Sequence, residues 1–139
     1  MDYYDYIEKI NEQRKAKNLT LRKMGKKMYI CDSPLADWFN KRQIMRGGYF
    51  IELLIYSGYK ILINDVPVER YGDIIEEIKR KMAAEHIPQY QIGYEMDVCG
   101  HTVGYWLTGK SEMRSDKMLQ LLEILGYEFK LEVNNERYS

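Results

Sequence analysis

The chain repeats itself. Laid on itself without a gap so that Asp5 meets Asp73, it also sets Ile7 on Ile75, Glu8 on Glu76 and Ile10 on Ile78. Ala16 falls on Ala84, Gly25 on Gly93, Met28 on Met96 and Cys31 on Cys99. Trp38 falls on Trp106, Met45-Arg46 on Met113-Arg114, Leu53-Leu54 on Leu121-Leu122 and Gly58-Tyr59 on Gly126-Tyr127. Both tryptophans and both cysteines share one register, which chance does not explain. A period of this kind governs the fold before any other signal. The chain is two copies of one unit of about 65 residues. The first unit covers 1–64 and the second 72–133, with a linker at 65–71 and a C-terminal tail at 134–139. The linker is read from NDVPVERY, which holds Pro67, alternating charge and little helical pattern. So short a connection implies a fixed geometry between the units.

Within each unit the apolar spacing is helical. Tyr3, Tyr6, Ile7 and Ile10 form one stripe over 3–17, and Ile74, Ile75, Ile78 and Met82 form its counterpart over 72–85. A second, short helix starts after Thr20, an N-cap residue type, and after Pro88, which suits a first helical turn. Its inner residues are Leu21, Met24 and Met28, then Ile92 and Met96. Gly25 and Gly93 lie mid-helix at a cost of roughly 1 kcal/mol each, which close approach of the following helix would justify. A third helix covers about 32–40 and 100–108, with Leu35, Trp38, Phe39, Val103, Trp106 and Leu107 inward. Pro34 is tolerated there because it lies in the first turn. A fourth covers about 48–57 and 116–125, ended by Gly58 and Gly126. The alternating runs YKILIN and YEFKLEV then read as strands. Strand 60–64 is expected to pair with 129–133 of the same chain as a two-stranded sheet. The competing arrangement pairs the terminal strands between two chains, as a homodimer.

Composition narrows the function classes. Hydrophobic residues make up 45% and charged residues 30% of the 139, a globular mixture rather than a disordered or fibrous one. No apolar run approaches the roughly 18–20 residues of a membrane span, and the polar start MDYYDYIEKI is not a signal peptide. Two cysteines then suggest a reducing, cytoplasmic setting without disulfides. Histidines and cysteines fall in no metal-ligand spacing, so neither a zinc site nor another cofactor is expected. His86 and His101 are isolated, no paired acid–base spacing occurs and no glycine-rich phosphate loop exists, so an enzyme is not expected. The net charge of zero conceals an asymmetry. Residues 1–65 carry 12 Lys+Arg against 8 Asp+Glu, and residues 66–139 carry 9 against 13. A basic half can attract a polyanion although the whole is neutral.

The segment IPQYQIGYEMDVCGHTVGYWLTGK, 87–110, resembles the phage-repressor (Cro/Xre-like, lambda-repressor-like) helix-turn-helix family. Gln89, Gly93, Cys99, Val103, Trp106, Gly109 and Lys110 match its pattern. Gly25, Cys31, Leu35, Trp38 and Asn40 match it in the first unit, which departs at Leu21, where the family has Gln, and at Lys41, where it has Gly. The resemblance implies a mainly α fold of two tandem helix-turn-helix units, each ending in a short strand. It also implies a prokaryotic or phage regulator that binds double-stranded DNA, with each third helix in a major groove.

The positions that would meet DNA follow. In the second unit they are Gly100, His101, Thr102 and Tyr105 on the third helix, with Gln89 and Lys110 placed for phosphates. In the first they are Ser33 on the third helix, Arg22 on the second and the basic turn Lys41-Arg42. Asp32 and Asp37 would be repelled by a polyanion, so the first unit is expected to hold backbone phosphates and the second to read sequence. A rival reading keeps the scaffold and changes the ligand, because fold does not fix function. Neutral charge, acidic residues on one third helix and 13 tyrosines suit a protein interface. The chain would then be an antitoxin bound to its toxin, or a phage-encoded inhibitor of a host defence protein, such as an anti-CRISPR.

Overall fold

The computed structural model describes residues 2–134, the side chain of Asp32 excepted. Met1 and residues 135–139, hence all but the first residue of the expected tail, lie outside the described residues. The described chain is mainly helical, with one small antiparallel sheet. Helices α1 (Tyr3–Ala16), α2 (Leu21–Met28), α3 (Asp32–Phe39) and α4 (Gly47–Tyr56) lead into β1 (Tyr59–Ile63) and β2 (Val66–Val68). Helices α5 (Tyr71–Ala84), α6 (Gln89–Met96), α7 (Gly100–Thr108) and α8 (Ser115–Ile124) lead into β3 (Phe129–Val133). The helix starts keep the repeat register, Tyr3 matching Tyr71, Leu21 Gln89, Asp32 Gly100 and Gly47 Ser115. No described helix is long and apolar enough to cross a membrane.

Local chemistry explains the helix starts. Asp2 accepts from the Asp5 amide at 3.0 Å while Asp5 accepts from the Asp2 amide at 2.9 Å, a capping box at the start of α1. Thr20 accepts from the Lys23 amide at 3.1 Å and caps α2. Pro88 stands at the N-cap of α6 rather than within its first turn. The stripes of α1 and α5 are buried as their spacing implies. A Cβ on Gly25 would lie 2.5 Å from the Ile30 carbonyl oxygen, and one on Gly93 2.7 Å from that of Val98. The backbone leading into the third helix therefore excludes any side chain at these positions.

The sheet has three strands, not two, in the order β2-β1-β3. The extra strand comes from the segment expected as linker. Asn64 and Asp65 take φ of +47° and +68°, and such left-handed pairs form the two-residue turn whose twist matches a hairpin. Val68 then pairs with Ile61 and is buried. Pro67 is accommodated because β2 is an edge strand. β1 and β3 pair within the chain, Tyr59 with Val133 through to Ile63 with Phe129.

The units are joined reciprocally. The Gly47 amide donates to the Met113 carbonyl at 2.8 Å, and the Ser115 amide donates to the Met45 carbonyl at 2.9 Å. Arg46 bridges Arg114, and Leu62 pairs with Lys130. Each of these two pairs joins positions that are equivalent in the repeat, so a local twofold axis relates the units within one polypeptide. Tyr3 and Tyr71 repeat the theme. Their hydroxyls accept from the Met45 and Met113 amides at 3.2 and 2.9 Å. One buried apolar cluster, with Phe50, Ile61, Ile74 and Met118 among its members, runs through both units.

Candidate nucleic-acid interface

The short helix pairs α2/α3 and α6/α7 hold the residues singled out from sequence. Gln89 opens α6 and is exposed. Its side chain lies against α7, since a Cβ on Gly104 would come within 2.8 Å of its Oε1. Gly100 opens α7 beside Tyr90, to whose Cα an added Cβ would measure 3.5 Å. His101 is exposed, with Nδ1 3.7 Å from Cys99 Sγ, and Thr102 is half-buried. Tyr105 is 44% exposed, and Lys110 Nζ stands 4.6 Å from its ring centroid, a cation–π distance. All six thus belong to α6, α7 and the turn after them.

In the first unit the two turn cations stand in ion pairs at the surface. Lys41 is paired with Glu8 at 2.9 Å, which raises the lysine's pKa and lowers the carboxylate's. Arg42 stands 3.7 Å from Asp37. Both cations are engaged by acids of their own unit. Ser33 is exposed in the first turn of α3, and Arg22 is exposed on α2. Arg22, Lys26, Tyr29 and Cys31 line a notch in front of the α3 N-terminus. The partial positive charge of a helix start and two basic side chains together suit a phosphate. Cys31 and Cys99 hold the N-cap positions of α3 and α7, and neither side chain makes a capping bond.

The same notch in the second unit has different chemistry. The register replaces Arg22, Lys26 and Tyr29 by Tyr90, Tyr94 and Asp97. Tyr90 is 76% and Tyr94 87% exposed, one helical turn apart on α6. No Lys or Arg occurs from 82 to 109, while Glu85, Glu95 and Asp97 do. These tyrosines were not among the expected site residues. Their signal was available, because both lie opposite Ile92 and Met96 on the helix.

Compared with protein-family models, with curated proteins and with solved structures, the chain matches none.

Proposed function

We propose that the chain is a double-stranded DNA-binding regulator made of two tandem lambda-repressor-like helix-turn-helix units, acting as a dimer within one polypeptide. The observation that carries this reading is the cationic notch of Arg22, Lys26, Tyr29 and Cys31 before α3, on a helix pair that a local twofold repeats. In this reading the first unit grips phosphates. The second offers His101, Thr102 and Tyr105 to base edges. Regulation follows from occlusion or recruitment at a promoter. The test is fluorescence anisotropy with labelled random duplex DNA across a salt series. Binding should weaken steeply with salt, and Arg22→Ala with Lys26→Ala should flatten the slope by up to about two units. Absence of binding at low salt would contradict it.

A second reading is favoured by one observation, the exposed Tyr90 and Tyr94 beside Asp97 with no cation from 82 to 109. Here the α6/α7 face binds a basic protein, such as a toxin or a host defence protein. Tyrosine offers large contact area at interfaces, and the acids attract the partner's cations. Tyr90→Ala with Tyr94→Ala separates the two readings. The first expects duplex-DNA affinity and regulation in cells both to be retained, whereas the second expects activity in cells to be lost because the protein partner no longer binds.

A further inference from the structure

The two units differ most usefully where α1 and α5 end. In the first, Arg14 fills the space between α1 and α3. Its guanidinium stands 5.3 Å from the Phe39 ring centroid and donates to Asn11 Oδ1 at 3.1 and 2.7 Å. It also donates to the Leu19 carbonyl at 3.0 Å. The repeat register converts Arg14 to Met82, Phe39 to Leu107, Asn11 to Lys79 and Leu19 to Ile87. Met82 and Leu107 are smaller and bring no donor. The space in the second unit is an open cleft of about 520 Å³, with Met82, Ile87 and Leu107 as apolar walls and Gln89 and Thr108 at the rim. The Ile87 carbonyl, counterpart of the one Arg14 satisfies, receives no hydrogen bond among the described residues.

We propose that this cleft binds a small, neutral, largely apolar molecule carrying one N–H donor. Its volume lies in the range of roughly 300–1,000 Å³ typical of ligand sites. The first unit specifies the chemistry, because its own occupant is a stem packed on an apolar wall with N–H groups reaching a main-chain carbonyl. The charge differs, since Lys79 lines the second cleft and no carboxylate does, so a cation is disfavoured. The ligand's flat body packs on Met82 and Leu107, and its donor bonds the Ile87 carbonyl. It also touches Gln89, which opens α6 and lies against α7, so occupancy acts on the helix pair assigned to recognition. Binding itself does not depend on the DNA reading; only that regulatory consequence does.

Indole is a suitable probe, with one aromatic body and one N–H. Titrated into the ¹⁵N-labelled full chain, it should shift the Ile87, Gln89, Leu107 and Thr108 amides saturably. Leu19, Leu21, Phe39 and Asn40, their counterparts, should stay still. 1-Methylindole, lacking the donor, should bind about threefold to tenfold more weakly. Met82→Arg with Leu107→Phe installs the first unit's filling and should abolish the shifts. If that pair fails to fold, Leu107→Phe alone should weaken binding by at least about tenfold. The reciprocal Arg14→Met with Phe39→Leu should open a second site at the counterpart amides. Absence of saturable shifts up to the solubility of indole, equal shifts in both units, or unchanged binding in the filled variants would overturn the proposal.

Discussion

Lys41 and Gly109 occupy one position of the repeat, with φ of +63° and +82°. Left-handed backbone is disfavoured for side chains with a Cβ, by roughly 1–2 kcal/mol. Gly109→Ala should therefore lower stability by about 1 kcal/mol in urea unfolding, although nothing lies within 4 Å of an added Cβ. Lys41→Gly should raise it, because the ion pair lost with Glu8 is exposed and weak. Buried tyrosines give a second expectation at this scale. Burial pushes the Tyr3 hydroxyl up to about 12, although its bond from the Met45 amide works the other way. Burial also raises Tyr6, Tyr59, Tyr71 and Tyr127. These groups are held neutral in the folded state, so their contribution is complete below the unfolded value near pH 10. It is lost as pH rises through the folded values. An absorbance titration at alkaline pH should show Tyr3, Tyr6, Tyr59, Tyr71 and Tyr127 ionising above the ordinary tyrosine range, together with loss of helical circular dichroism.

At the scale of elements, the hairpin β1–β2 separates what sequence revealed from what it concealed. Helical stripes were legible because burial on one face imposes a period of 3.6, and Ile74, Ile75, Ile78 and Met82 could satisfy no other geometry. The pairing of β1 with β3 was legible because two strands carried by related units had one economical partner. β2 was hidden by its shortness, Val66–Val68, and by Pro67, which argues against a strand unless that strand is an edge. Its signal was the turn pair Asn64-Asp65, both tolerant of positive φ. Asp65→Gly should stabilise the chain by roughly 0.5–1 kcal/mol, measured as a higher Tm, because glycine suits the second turn position better. Among the candidate site residues, Gln89 through Lys110 were legible as a group, since one motif contained them. The engagement of Lys41 and Arg42 by Glu8 and Asp37 was not. Glu8 belongs to a different helix, far from Lys41 in sequence, and only the packing of α1 beside α3 brings it near.

For the whole molecule, the local twofold converts a repeat in sequence into one body with two unlike faces. Ser115 donates through both its amide and its hydroxyl to the Met45 carbonyl, at 2.9 and 2.6 Å. Together with the strand pairing, these bonds set one helix pair relative to the other. A homodimer would present two identical faces and select a palindrome. This chain presents Arg22, Lys26 and Tyr29 on one side and Tyr90, Tyr94 and Asp97 on the other. If both faces engage one duplex, the half-sites must differ while their spacing follows the protein's own symmetry. The most direct measurement is selection of bound sequences from a randomised duplex library by the full chain. A site with two unlike halves, centred about 10–10.5 base pairs apart, should be enriched, with its sequence preference concentrated under α7 and relaxed by His101→Ala with Tyr105→Ala. Recovery of a library no different from the input, at a salt concentration where basic proteins bind DNA, would contradict the DNA-binding reading.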